Sequence, residues 1–310
     1  MARLVRWTIA TVVMFSAVSC ASPGAARVGN AQVTTPTLQS AVNSEPAHAL
    51  DTAVSDTRAQ APPSAPPPSR SVDSSLVVGC NADVLRSLTQ RTGNETVRQW
   101  IVVLAPFATS TSASLEIATS GTDDKWHCSL PATSARLGRK GLRPLIDRRS
   151  GDDTTPSGIF ALGTVNTAQG PISFFGNSPD PGALGGYRKV QKDDCYGAKP
   201  NSPGYGHWRS DASGCSGADE RLQRVGAAYE HAVLIGANTE PNVSGDGPGE
   251  IPYASAIFLH RFTYGAAGSA KATSGCVSIA HDALVSAVRT IDPRLNPHFA
   301  IGVAQELIAG

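Results

Sequence analysis

Residues 76–310 predict a mainly β domain with a few helices and one long irregular loop. Three observations carry this. Apolar, β-branched runs such as Trp100-Ile101-Val102-Val103-Leu104 and His231-Ala232-Val233-Leu234-Ile235-Gly236 recur along the segment. Clusters of Gly, Pro, Asp and Ser that favour turns separate them. Helical spacing is confined to short stretches.

Ahead of the domain, Arg3 and Arg6 precede an apolar run from Trp7 to Val18. The run is shorter than the roughly 20 residues of a membrane span, so residues 1–20 read as a secretory signal. Ala17-Val18-Ser19-Cys20 resembles a bacterial lipobox with lipid carried on Cys20; ordinary cleavage near Ala21 or Ala26 is the alternative. Residues 21–75 are rich in Ala, Ser, Thr and Pro, with Ala61-Pro62-Pro63-Ser64-Ala65-Pro66-Pro67-Pro68. No apolar period appears there, and the stretch reads as a disordered, partly extended tether.

Within the domain, Val84, Leu85 and Leu88 suggest a short amphipathic helix, and Trp100 to Leu104 a strand. Ser114 to Thr119 alternates, Asp123-Asp124 turns, and Lys125-Trp126-His127-Cys128 returns, which reads as a hairpin with a structural or exposed His127. Gly151-Asp152-Asp153-Thr154-Thr155-Pro156 is turn chemistry before a strand, and its adjacent carboxylates lack the spaced oxygen ligands of a calcium loop. Gly170 to Gly217 is the long loop, holding Tyr187, Tyr196, Tyr205, His207 and Trp208. The aromatics argue for an ordered loop, in which Tyr205, His207 and Trp208 either pack, the favoured role, or contact substrate. Leu222, Val225 and Tyr229 have helical spacing, and Ile251 to Phe258 leads to His260. Leu284, Val285, Val288 and Ile291 form a helical face that Asp292-Pro293 ends. Ser278 is a plausible cap for that helix, and His281 and His298 read as surface or helix residues.

The formal net charge is +1, and removing the signal with Arg3 and Arg6 takes it to about −1, which is no nucleic-acid footprint. Arg136, Arg139, Lys140, Arg143, Arg148 and Arg149 make one basic stretch. It is either a solvated face or a surface that attracts carboxylates. No GxSxG, phosphate-binding loop or spaced metal-ligand set appears. The chain has 6 cysteines. Setting aside Cys20 and Cys276 leaves four, which allow three pairings. Cys80–Cys128 with Cys195–Cys215 is favoured because each closes a separate, local region.

That partition leaves Cys276 as a free thiol after Thr273-Ser274-Gly275, one loop beyond His260. A thiol attacks an acyl carbon as its thiolate, and a neighbouring imidazole can take the proton and return it to a leaving amine. The backbone N–H groups of Gly275 and Cys276 are candidates to hold an oxyanion, with Ser274 shaping the turn. If the helix began near Ser278, its N-terminus would also favour the thiolate. The competing reading is a buried or disulfide-bonded cysteine beside a strand-ending histidine.

The segment from His260 to Cys276 resembles the active-site signature of the L,D-transpeptidase (YkuD-type) catalytic domain family: a strand-borne His, a variable loop, then Ser or Thr, any residue, Gly and Cys. Gly138-Arg139-Lys140-Gly141 and Gly151-Asp152-Asp153-Thr154-Thr155-Pro156-Ser157-Gly158-Ile159-Phe160 resemble two further segments of that family, in the same order. The chain departs from the signature at Arg261, Ser274 and Ser278, where many members carry Gly, His, and Arg or Asn. The resemblance covers roughly residues 99–303. It implies an L,D-transpeptidase-type β-sandwich with the 170–217 segment as a covering loop. It also implies acyl transfer from peptidoglycan stem peptides through a Cys276 thioester with His260 as base, needing no metal or cofactor. The alternatives are an L,D-carboxypeptidase that trims stems and a non-catalytic wall-binding lipoprotein. An exported protein of the cell envelope, held to the membrane through Cys20, is the expected location.

Overall fold

The computed structural model describes residues 79–310, apart from 124, 203, 211–214, 216–218, 242 and 245–253. The expected signal, lipid attachment at Cys20 and tether lie outside the described residues.

The fold is mainly β. Asn81 caps α1 (Ala82–Gln90) by accepting from the Val84 N–H at 3.0 Å, the side-chain capping that starts a helix after a turn. β1 (Gln99–Ala105), β2 (Ser112–Ser120) and β3 (Trp126–Arg136) form the expected antiparallel hairpin series. β1 is buried on both faces, which accounts for its unbroken apolar run. Ile101 and Val103 enter the main core, while Trp100 and Val102 pack with Val84, Leu85 and Leu88 of α1.

The chain continues through β4 (Leu142–Pro144), β5 (Thr155–Ala161), and a two-stranded ribbon of β6 (Val165–Thr167) and β7 (Gly170–Ile172). Next come β8 (Phe174–Gly176) and β9 (Tyr187–Lys189). β10 (Cys195–Tyr196) lies between β11 (Trp208–Arg209) and β12 (Glu220–Arg221) in a small separate sheet. β13 (Ala232–Leu234), β14 (Phe258–Arg261), β15 (Val277–Ile279), α2 (His281–Thr290), β16 (His298–Val303) and α3 (Ala304–Ala309) complete it.

Among the described residues, eleven strands form one sheet in the order β4-β5-β16-β1-β2-β3-β15-β14-β13-β8-β9. The sheet is mixed, with most of its strand pairs antiparallel. The pairs β1–β16, β4–β5, β8–β9 and β14–β15 are parallel. The sheet doubles back on itself. Leu162, just past β5, bridges Ile235, just past β13, and the Gly163 N–H donates to the Leu234 carbonyl at 2.9 Å. Phe160 and Phe299 from one half therefore share a core with Phe174, Val233 and Leu259 from the other.

The long segment is ordered where it is described. Both expected disulfides are present, Cys80–Cys128 and Cys195–Cys215. Each ties a local loop, a constraint worth about 2–4 kcal/mol, and such bonds persist in oxidising, exported compartments. Tyr205 and Trp208 pack as expected. Tyr205 is buried with its hydroxyl 3.0 Å from Ser150 Oγ, and Trp208 meets Phe175 edge-on. His207 Nδ1 sits 3.1 Å from Glu240. The expected helix around Leu222 is a 3-10 segment, Leu222–Tyr229, broken at Gly226 with φ 68°. His281 opens α2, and His298 is a half-buried residue of β16 beside Trp100 rather than a helix residue. Much of the basic stretch is already paired or buried. Arg139 pairs with Asp153, Arg143 lies 3.5 Å from Asp152, and Arg148 is buried.

Candidate active site

Strand pairing puts Cys276 and His260 on one face of the sheet, in or beside adjacent strands. β14 and β15 run parallel, with Leu259 opposite Val277 and His260 opposite Ser278. Because side chains alternate along a strand, Phe258, His260, Cys276 and Ser278 share one face. Leu259, Val277 and Ile279 point into the main core. Phe258 and Cys276 belong to a second core with Phe175, Tyr196 and Tyr229.

His260 is 6% exposed, and its Nδ1 donates to the Arg261 carbonyl at 2.7 Å. A carbonyl only accepts, so this bond places the proton on Nδ1 and leaves Nε2 with its lone pair. The residue that orients His260 is thus its own neighbour's backbone. Burial pushes the imidazole down from 6.5 to about 4, with the Arg261 carbonyl acting weakly the other way. The ring is therefore neutral, the form a general base needs. The Tyr229 ring stands against it at 5.4 Å.

Cys276 is the free cysteine among the described residues, 3% exposed. Its thiol donates to the Ala256 carbonyl at 3.4 Å rather than to His260. Burial pushes the thiol up to about 12, and the Glu220 carboxylate adds to this. The Phe258 N–H, Arg148 and the Tyr229 hydroxyl act in the opposite direction. The resting pair is a protonated thiol and a neutral imidazole.

The Thr273-Ser274-Gly275-Cys276 turn is held from several sides. Thr273 Oγ1 donates to the Cys276 carbonyl at 2.6 Å and accepts from the Gly275 N–H at 3.1 Å. The Gly275 N–H, one of the two expected oxyanion donors, thus serves the turn instead. Thr155 Oγ1 accepts from the Gly138 N–H at 2.8 Å and donates to the Cys276 carbonyl at 3.4 Å. Gly138 also bridges Thr273. A Cβ on Gly138 would lie 2.4 Å from the Asp153 carbonyl oxygen, so only glycine fits there. The two glycine-containing segments noted in the sequence therefore converge beneath the thiol.

One expectation fails. Ser278 does not cap a helix: it lies inside β15, and α2 begins at His281 with no side-chain cap. Cys276 precedes a strand, so no helix N-terminus favours its thiolate. Ser278 Oγ is instead buried without a hydrogen-bond partner on the face it shares with His260.

A pocket opens at the thiol, lined by Arg148, Ser150, Glu220, Ala256, Gly275 and Cys276. Tyr229 donates its hydroxyl to Glu220 at its edge. Sequence reading missed Arg148, Glu220, Tyr229 and the Arg261 carbonyl. The first three reach Cys276 from distant segments, and a backbone carbonyl carries no residue signal. No family model, curated protein or solved structure matches this chain.

Proposed function

We propose that this chain is an exported peptidoglycan L,D-transpeptidase that uses Cys276 as nucleophile and His260 as base. The observation carrying the reading is the juxtaposition of a free thiol at a pocket floor with a neutral imidazole on the same face of the adjacent strand, its Nε2 lone pair left available by the Nδ1–Arg261 bond. The convergence of Gly138 and Thr155 on the Cys276 turn supports it further.

In the reaction, the thiol turns from Ala256 toward His260, and Nε2 takes its proton. The sulfur bonds to the carbonyl carbon between the third stem residue and the terminal D-Ala. The Cys276 N–H faces the oxyanion. The C–N bond breaks, and His260 returns the proton to the departing D-Ala amine. A neighbouring stem amine then attacks the thioester, giving a 3→3 crosslink and restoring the thiol. A lipid anchor at Cys20 and the 21–75 tether would let the domain reach the wall from the membrane.

The test is incubation of the full chain with disaccharide-tetrapeptide, followed by mass spectrometry of the products. Crosslinked dimers lacking one D-Ala, absent with Cys276→Ser, are expected. Tripeptide monomers alone would replace the reading with a carboxypeptidase. Unchanged substrate with folded protein would leave the non-catalytic wall-binding reading.

A further inference from the structure

The Cys276 side chain is nearly sealed from water and has no helix N-terminus behind it. Moving its proton to His260 creates a charge in a poorly solvated place. The charged and titratable groups acting on the thiol are Glu220 from β12, Tyr229 from the 3-10 segment and Arg148 from the loop after β4, with the His260 ring of β14 against Tyr229. Of these, Arg148 alone is a permanent cation.

Arg148 is 3% exposed. Nε donates to the Thr154 carbonyl at 2.5 Å, and Nη2 donates to the Ser274 carbonyl at 3.4 Å. Carbonyls hold a guanidinium in place without neutralising it. The carboxylate nearest to it, Asp152, stands 3.8 Å from Nε and itself accepts from Thr154 N–H and Oγ1. Asp153 and Tyr205 lie farther round the same group. The guanidinium also fills the space a side chain at Gly275 would need: a Cβ there would sit 2.3 Å from Nη2. The cation is locked directly behind the turn that presents the thiol.

We propose that Arg148 is the positioning cation of this site, holding the Ser274-Gly275 turn and stabilising the negative charge on Cys276 between proton loss to His260 and bond formation to the acyl carbon. This rests on the reading of Cys276 as a nucleophile. Only one proton moves, from Sγ to Nε2. Glu220 opposes the effect from the other side of the pocket.

The experiment is iodoacetamide alkylation of the full chain from about pH 6 to pH 11, read at the Cys276 peptide by mass spectrometry, with circular dichroism to check folding. Arg148→Gln is expected to raise the apparent thiol pKa by at least about one unit, slowing alkylation about tenfold near neutral pH. Arg148→Lys is expected to stay within about threefold of wild type, and Glu220→Gln to shift the profile downward. If the single Gln variant fails to fold, Arg148→Met with Asp152→Asn removes the buried pair as a unit and gives the same readout. A wild-type profile in the neutral variants overturns the proposal, as does equal impairment by Gln and Lys, which would mark a role of shape. A shifted profile in a protein that turns over no stem peptide supports the assignment and removes only the substrate reading. Resistance of native Cys276 at every pH overturns both.

Discussion

His260→Gln is expected to lower stem-peptide turnover by about 10²–10⁴-fold, the range for a positioned general base. Burial keeps the imidazole of the proposed base neutral, and its Nδ1 bond to the Arg261 carbonyl leaves Nε2 unprotonated. The same burial links it to stability. The unfolded chain binds this proton near pH 6.5, whereas the folded chain resists until about pH 4. Stability from His260 is therefore whole above pH 6.5 and lost progressively as the pH falls toward 4. The loss is on the order of 3 kcal/mol across that window. Urea unfolding against pH should show this decline in the wild type beyond what His260→Gln shows. Parallel curves for the two proteins would mean the imidazole is not held neutral.

Gly275→Ala is the second large effect. Gly275 has φ 149°, a conformation that residues with a Cβ rarely adopt, and its Cβ position is occupied by the Arg148 guanidinium. Alanine would both strain the backbone and push Arg148 or Cys276 from its place. Strain of this kind costs about 1–3 kcal/mol. A misplacement of about 1 Å at a reacting atom costs on the order of 100-fold in rate. Turnover should thus fall far more than the loss of folded protein explains. A variant with wild-type turnover would show that the turn tolerates movement and that its close fit to Arg148 is incidental.

The parts of the molecule legible in sequence were those encoded locally. The apolar run of β1 and the hairpin of β2 and β3 are one-segment signals, and each appears as expected. The disulfide pairing followed from locality, and the chemistry of their types singled out Cys276 and His260 as the candidate pair. What was misread depends on partners. Val277-Ser278-Ile279 carries no sign of whether it begins a helix or joins a sheet; pairing with β14 decides for the strand. The parallel β1–β16 pair joins segments almost 200 residues apart in the chain, as His298 opposite Trp100 shows. Arg148 lay within a basic stretch that looked like surface, and its burial against Ser274 spans 126 positions. Tyr229 and Glu220 had ordinary local settings and meet each other and Cys276 only in the folded chain.

The most direct test of the account is mass spectrometry of the full chain mixed with disaccharide-tetrapeptide, with peptide mapping of the protein itself. The expected result is a thioester adduct on Cys276 whose mass is that of the stem without its terminal D-Ala, accumulating in the absence of an acceptor amine. Consumption of the stem with Cys276 unmodified, or an adduct on another residue, would contradict the assignment of Cys276 as nucleophile.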